Sequence, residues 1–275
     1  MTVFDRALVR RRRDRAAAGF AGHDFLFAEI AENLVERLQL VRRSFPRALD
    51  LGCRDGAAGR RAAAAKGVDL LVSCDLSGAL AARAAGLAVI ADEEALPFTE
   101  SSFDLVLSNL SLHWVNDLPG ALIQIRRLLR PEGFFLGAML GGETLKELRQ
   151  CLFEAELAIT GGAAPRLSPF ATLADAGQLM RRAGFALPVA DVETITVTYA
   201  DIFRLMADLR GMGETSALLT RPRAPLRRSV LLEAARRYSE SFAEPGGRLP
   251  ATFQILHVAG WAPEPAPPST ALEFP

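Results

Sequence analysis

Apolar and polar residues recur along the chain in short patterns that predict alternating strands and helices. Residues 23–41 carry apolar side chains at helical spacing and predict an amphipathic helix: Phe27, Ile30, Leu34, Leu38 and Val41. Short apolar runs predict strands at 47–51, 70–74, 88–91, 103–108, 134–140, 191–198 and 251–258. The segments between them predict helices at 57–65, 78–85, 118–130, 143–158 and 172–183, with a helical pair between 200 and 241. This alternation predicts an α/β protein with a parallel, doubly wound sheet.

Proline and glycine mark the predicted boundaries. In the sequence 129–133, Pro131 is expected to end a helix and Gly133 to take a positive φ in the turn to the next strand. We expect a helical segment over 1–45, one main domain over 46–260 with a helical lid at about 200–241, and a disordered, proline-rich tail over 261–275.

The charge balance excludes a strong overall attraction to nucleic acid. Of 275 residues, 32 are Lys or Arg and 32 are Asp or Glu, so the net charge is zero. Residues 1–15 and 221–237 are locally rich in arginine, and both are predicted to be solvated helix faces.

Cysteine usage and the apolar runs indicate the cellular setting. Cys53, Cys74 and Cys151 form neither a disulfide framework nor a zinc motif, which favours a reducing compartment. Neither a secretory signal nor a transmembrane run is visible. We expect a bacterial cytoplasmic protein, with peripheral contact at the inner face of the membrane left open.

A glycine loop follows the first strand and is the strongest candidate for a ligand site. Asp50 closes this strand, and Gly52 and Gly56 lie in the turn before a helix, where a cofactor can approach the backbone. Asp75 ends the second strand, where a carboxylate can accept hydrogen bonds from ribose hydroxyls. The loop lacks the glycine pattern of dinucleotide sites and the lysine of a P-loop. A ribose-bearing, cationic cofactor is therefore favoured over NAD or ATP, which remain alternatives.

Further motifs follow in a fixed order: Asp92 to Phe98, with a Leu-Pro-Phe turn, then Ser102-Phe103-Asp104, and Arg130-Pro131-Glu132-Gly133. Over residues 47–140 this order resembles the class I S-adenosylmethionine-dependent methyltransferase family. The resemblance implies a Rossmann-like sheet of seven strands with an antiparallel last strand. It also implies S-adenosylmethionine as cofactor, held by Asp50, Gly52, Cys53, Gly56, Asp75, Leu76, Asp92, Glu93 and Asn109.

One residue departs from the family pattern. The glycine motif would place glycine at position 54, where this chain has Arg54. A negative φ with the side chain in solvent would leave cofactor binding intact, whereas a positive φ or close contact with the ligand would weaken it.

The outer segments resemble two groups within this family. The arginine-rich opening, the stretch 109–120, the stretch 208–214 and Phe253 to His257 resemble methyltransferase-like assembly factors of respiratory complex I, which are associated with arginine hydroxylation. The lid and the fourth strand are shared with malonyl-carrier-protein methyltransferases of biotin synthesis. The implied partner is a complex I subunit or an acyl carrier protein. The substrate side would contain Ser111, His113, Trp114, Asp201, Asp208 and Arg210, although His113 and Trp114 could instead be packing residues. For an arginine acceptor, a carboxylate such as Asp201, Asp208 or Glu214 could hold the guanidinium.

The sequence predicts neither a single catalytic residue nor a metal site. Methyl transfer depends chiefly on positioning and desolvation. None of the three histidines has a carboxylate two residues later, so hydroxylation is implied by resemblance only. A non-catalytic assembly chaperone on the same fold is the third alternative.

Overall fold

The computed structural model describes residues 2–84, 86–222 and 224–264, and a seven-stranded sheet lies at the centre of these residues. The strands are β1 Arg47–Leu51, β2 Leu70–Asp75, β3 Leu87–Ile90, β4 Phe103–Asn109, β5 Leu129–Leu140, β6 Ala186–Tyr199 and β7 Leu249–Trp261. Their order in the sheet is β3-β2-β1-β4-β5-β7-β6. The first five strands pair in parallel, whereas β7 runs antiparallel to β5 and β6. The predicted doubly wound sheet with an antiparallel last strand is confirmed.

Helices connect the strands close to the predicted positions. They are α1 Arg6–Ala16, α2 Phe25–Leu40, α3 Ala57–Lys66, α4 Gly78–Ala81, α5 Leu118–Leu128, α6 Lys146–Thr160, α7 Leu173–Arg182, α8 Ile202–Gly211 and α9 Arg228–Phe242, with 3₁₀ turns at Ala17–Gly22 and Leu112–Trp114. Trp261, the first residue of the predicted tail, instead ends β7, and residues 265–275, most of that tail, lie outside the described residues. Within the described ranges, no helix has both the length and the apolar character to cross a membrane.

The sheet separates two hydrophobic cores, because successive side chains of a strand point to opposite faces. In β5, Phe134 belongs to the core that includes α2, α6, α8 and α9. Its neighbour Phe135 is fully buried in the other core, against α5 and α7. The apolar runs predicted as buried strands therefore contribute to both faces.

The boundary between α5 and β5 differs from the prediction. Pro131 lies inside β5 rather than in a preceding turn, and the positive φ, 60°, falls on Glu132 instead of Gly133. The β4 pairing skips from Leu129 to Phe134, so the intervening residues bulge out of the ladder. At Gly133 a side chain would lie 2.9 Å from the Arg130 carbonyl oxygen, so glycine is needed there for space rather than for φ.

All three cysteines are free and buried. Burial raises the pKa of Cys74 to about 12 and that of Cys151 to about 11, and it raises the pKa of Cys53 further. These thiols are packed as small apolar groups and stay protonated at neutral pH.

Candidate active site

The glycine loop at the carboxyl end of β1 has three residues in the left-handed region: Gly52, Arg54 and Gly56, with φ values of 68°, 55° and 77°. Asp50, just before the loop, is fully buried and accepts a hydrogen bond from the Gly59 backbone N–H through Oδ2 at 2.9 Å. Burial raises the pKa of Asp50 to about 7. Asp50 therefore ties β1 to the first turn of α3.

Arg54 does not point to solvent. Its side chain turns inward and donates through Nη2 to Glu214 and to the Leu110 carbonyl oxygen. The guanidinium lies 4.9 Å from the centre of the Phe27 ring. Its backbone N–H donates to Asp75 Oδ2 at 3.1 Å, an interaction that stabilises the left-handed backbone of the loop. A positive φ, one of the two conditions expected to weaken cofactor binding, is therefore present, and the side chain is not in solvent.

Glu214, just after α8, connects the end of this helix to the loops after β1 and β4. It accepts hydrogen bonds from Arg54, from His113 Nε2 at 3.0 Å and from Trp114 Nε1 at 2.7 Å. Burial alone would raise the pKa of Glu214, but Arg54 and His113 overcome this effect and hold its pKa at about 2. Glu214 is therefore ionised at neutral pH.

His113 is a neutral partner in this cluster. Burial lowers its pKa, against the opposing effect of Glu214. Its Nδ1 accepts from the Leu140 backbone N–H at 3.4 Å, and a neutral ring with a proton on Nε2 satisfies both contacts. Neither ring nitrogen is free to act as a base.

Two buried carboxylates lie at the carboxyl ends of β2 and β3. Asp75 accepts from the Ser77 backbone N–H at 2.8 Å, and Glu93 accepts from Ser111 Oγ at 2.5 Å. The guanidinium of Arg13 lies between them, with Nη1 at 3.3 Å from Asp75 Oδ1 and 3.2 Å from Glu93 Oε1. Burial would raise the pKa of Glu93, but Arg13 and Arg6 hold it at about 2.

The arginine-rich opening is therefore only in part the solvated face that its composition predicts: Arg10, Arg11 and Arg15 are exposed, whereas Arg13 is buried. Asp5 caps α1, and the buried residues of this helix are Val9, Arg13 and Ala16. Arg6, one turn before Val9, also pairs with Asp92 and Glu93. The three- and four-residue spacing of these residues places Arg6 and Arg13 on the buried face of α1. This spacing can be read from the sequence, whereas the arginine content alone suggests an exposed helix.

An apolar cavity of about 170 Å³ lies beside this charged region, between the loop after β4 and helices α2, α6 and α8. Most of its lining is apolar, including Phe27, Leu148 and Phe170, and its polar lining includes His113, Glu214, Arg166 and Arg210. A concave, mainly apolar space with few polar groups is typical of a small-ligand site.

The residues predicted for the substrate side divide into two groups. His113, Trp114 and Arg210 line the cavity. Ser111 instead contacts Arg13 and Glu93, Asp201 caps α8, and Asp208 Oδ1 lies 2.7 Å from His23 Nδ1.

Two of the residues predicted for the cofactor site make other contacts. Leu76 packs beside the Phe4 and Trp114 rings, and Asn109 donates to the Phe27 carbonyl oxygen. The sequence offered Glu214 only as a carboxylate for a substrate guanidinium and did not predict its contact with Arg54, since the two residues lie 160 positions apart.

S-adenosylmethionine does not fit between these carboxylates in the conformation described. Arg13, which is fully buried, occupies the space between Asp75 and Glu93 that the nucleoside would need. The Ser111 side chain lies directly against Gly52, where a Cβ atom would overlap it. The carboxylates are of the required type, but the space is filled by the chain itself. Among the described residues, no group of three or more His, Cys, Asp and Glu side chains is arranged to hold a metal ion.

Comparison with known sequences shows close relatives over nearly the whole chain. Residues 49–137 match the methyltransferase domain family. The chain is 42% identical over 269 residues to arginine-hydroxylase NDUFAF5, mitochondrial, of Danio rerio, covering 96% of this chain and 84% of the relative. It is 36% identical over 276 residues to malonyl-[acyl-carrier protein] O-methyltransferase of Methylovorus sp. (strain MP688), covering 95% of this chain and 90% of the relative.

The fold is similar to that of the methyltransferase solved in complex with the Haloferax volcanii Trm112 methyltransferase activator. The TM-score is 0.56 at 20% identity, covering 94% of this chain and 99% of that one. At this identity the likeness concerns the fold alone. Taken with the identities over most of the chain, it shows that the protein belongs to the class I S-adenosylmethionine-dependent methyltransferase family.

Proposed function

We propose that the protein binds S-adenosylmethionine at the carboxyl ends of β1, β2 and β3 and modifies an arginine side chain of a protein during assembly of respiratory complex I. The observation that carries this proposal is the ionised carboxylate of Glu214 in the wall of an apolar cavity. An arginine side chain has the matching chemistry, an apolar stem with a cationic head.

The contacts of Glu214 leave capacity for one more donor. Its Oε2 accepts from His113 and Trp114, whereas Oε1 accepts from Arg54. Since a carboxylate oxygen can accept two hydrogen bonds, Oε1 has room for the N–H of a substrate guanidinium. The methylene groups of that arginine would lie against the apolar side chains of Leu148 and Phe170.

Membership of the family supports the cofactor. The proposed contacts are those implied by the sequence: the loop 52–56, Asp75 for the ribose hydroxyls, and Asp92 with Glu93 for the adenine side. Asp92 is partly exposed, so this end of the site lies near solvent. The proposal requires a second conformation, in which Arg13 no longer lies between Asp75 and Glu93.

One observation favours a second acceptor, the malonyl group of an acyl carrier protein. Arg210 lines the cavity and is exposed, and within the described residues its side chain has no hydrogen bond or ion pair. An unpaired guanidinium at a cavity suits an anionic group such as a malonyl carboxylate. The two acceptors thus depend on opposite charges in the same cavity, Glu214 and Arg210.

The experiment that separates them uses a strain from which the gene is deleted. We expect this strain to lose assembled complex I on native gels and a modified arginine in one of its subunits by mass spectrometry, while it grows without biotin. The mass change identifies an added methyl group or an added oxygen. The wild-type gene and the surface control Glu240→Gln should restore both, whereas Glu214→Gln should not.

A biotin requirement with normal complex I would overturn the arginine proposal. If the wild-type gene then removes the biotin requirement of the deletion strain and the Arg210→Ala gene does not, the carrier-protein acceptor is supported. Assembly restored by Glu214→Gln, with no arginine modified in the wild type, would instead support a non-catalytic chaperone.

We place the activity in the cytoplasm, at the inner face of the membrane where complex I is inserted. Fractionation should recover the protein from the soluble fraction and, at low salt, partly from membranes, because exposed arginines in the 221–237 segment are attracted to anionic surfaces. Recovery from membranes only after detergent extraction would contradict peripheral contact.

A further inference from the structure

We propose that α1 is a gate on the cofactor site: the Arg13 guanidinium occupies the nucleoside position, and α1 must undock before S-adenosylmethionine can bind. This inference rests on the proposed function, since it concerns the same carboxylates. It adds that cofactor binding and the docked helix exclude each other.

Arg13 uses the groups that a nucleoside would use. It donates through Nη1 to Asp75 and Glu93 and through Nη2 to Ser111 Oγ at 2.9 Å. Ribose hydroxyls would donate to the same Asp75 carboxylate, so both occupants need the same acceptor. The side chain of Arg13 is entirely buried and leaves no space beside it.

The exchange changes the charge beside the two carboxylates. The buried carboxylates of Asp75 and Glu93 would be costly without a nearby cation. Arg13 supplies that cation when α1 is docked. S-adenosylmethionine would place its neutral nucleoside between these carboxylates and its sulfonium and ammonium groups farther along the molecule, so it would offset the loss of Arg13 only in part.

Polar contacts at both ends of α1 hold it over the site. Arg6 pairs with Asp92 and Glu93, and Asp14 accepts from Ser77 Oγ at 2.5 Å. Arg12 Nη1 donates to the carbonyl oxygen of Thr215 at 2.5 Å, in the segment that follows α8. The docked helix thus contacts both the cofactor carboxylates and the lid.

The composition of α1 favours release. Its buried apolar residues are small, Val9 and Ala16, and Leu8 is partly buried beside Val9, so a limited apolar area is exposed when the helix leaves. The Nε atom of Arg13 is buried without a hydrogen-bond partner in the described structure, a cost that undocking removes. Phe20, in the following 3₁₀ turn, is buried in the core and anchors the chain behind the moving helix.

The equilibrium between docked and undocked α1 then determines the apparent affinity for S-adenosylmethionine. If the binding-competent state is only a fraction of the molecules, the apparent dissociation constant rises by the inverse of that fraction. Weakening the docked state should therefore tighten cofactor binding.

The test is calorimetric titration with S-adenosylmethionine of the wild type, Arg13→Ala and the control Arg11→Ala. Arg11 lies on the exposed face of the same helix, so both variants remove one arginine from α1. We expect about tenfold tighter binding for Arg13→Ala and no change for Arg11→Ala. Weaker binding by Arg13→Ala, with its thermal unfolding intact, would overturn the gate.

A second measurement needs no variant and covers the case in which Arg13→Ala fails to fold. Amide hydrogen exchange of Arg6–Ala16 should become faster when the wild type is saturated with S-adenosylmethionine, because the undocked helix loses its packing. Unchanged or slower exchange in the bound protein would overturn the gate while leaving cofactor binding intact. If neither the wild type nor a folded Arg13→Ala binds the cofactor, the proposed function itself fails and the gate fails with it.

Discussion

The two halves of the candidate site differ in how the chain fills them. At the ends of β1, β2 and β3, buried ions fill the space, and Arg13 pairs with Asp75 and Glu93. Beside β4 and β5, apolar side chains line an unfilled cavity of about 170 Å³. Buried charges need partners, and here the chain supplies them from its own N-terminal helix. Apolar walls need no partner, so the half proposed for the acceptor stays open, whereas the half proposed for the cofactor (the cofactor half) is filled.

The largest expected effect comes from Glu214, where the two halves meet. Glu214→Gln removes the charge opposite the buried Arg54 and should lower the free energy of unfolding at neutral pH by about 4 kcal/mol. Denaturant titration measures this change. Glu240→Gln, on the exposed surface of α9, should leave stability nearly unchanged.

The difference in stability between the wild type and Glu214→Gln should depend on pH. The folded pKa of Glu214, about 2, lies below its ordinary value of 4.5. Its stabilising effect is therefore present above pH 4.5 and is lost as the pH falls toward 2. The difference in the free energy of unfolding between wild type and Glu214→Gln should therefore become smaller as the pH falls over this range. A gap independent of pH would show that the charge of Glu214 is not what stabilises the cluster.

Replacement of Gly52 and of Gly67 by alanine compares how tightly the chain is packed at a position inside the site and at one outside it. Gly52 and Gly67 both have positive φ, but a Cβ at Gly52 would overlap the Ser111 side chain, whereas one at Gly67 would meet nothing within 4 Å. We expect Gly52→Ala to cost about 3 kcal/mol of stability and Gly67→Ala about 1 kcal/mol. Equal losses would mean that the cofactor half is less crowded than described.

A third change fills the open half. Met206 lines the cavity, and Met206→Phe should change the free energy of unfolding by less than about 1 kcal/mol while it abolishes modification of the acceptor. Met139 is buried in the packed core on the other face of the sheet, so Met139→Phe should cost about 2 kcal/mol. Full activity in Met206→Phe would place the acceptor elsewhere.

The smallest effect is expected at His113. Burial holds its folded pKa below the ordinary value of 6.5, so the unfolded chain binds the extra proton first. Stability should therefore decline as the pH falls below 6.5, and His113→Gln should flatten part of this decline. Gln keeps a donor for Glu214, and an unchanged pH profile would show that His113 does not titrate on unfolding.

The sheet was predictable because its signals are local. Apolar runs and the glycine loop located β1 to β5, and the motif order identified the family. The burial of Arg13 was harder to predict, since its contact with Asp75 spans 62 positions and six arginines in fifteen residues resemble a solvated surface. The α1 spacing held the missing signal: Arg13 shares a face with Val9 and Ala16. The inward turn of Arg54 depends on Glu214, which no local pattern connects to it.

The burial of all three cysteines gives the protein an inert background for labelling. Maleimides react with exposed thiolates, and these thiols are neither exposed nor ionised at neutral pH. A single cysteine introduced by Arg10→Cys, on the exposed face of α1, could carry a fluorophore or spin probe without removal of the native thiols. With a second cysteine introduced at Glu240 in α9, the distance between the two probes would report in solution whether α1 is docked.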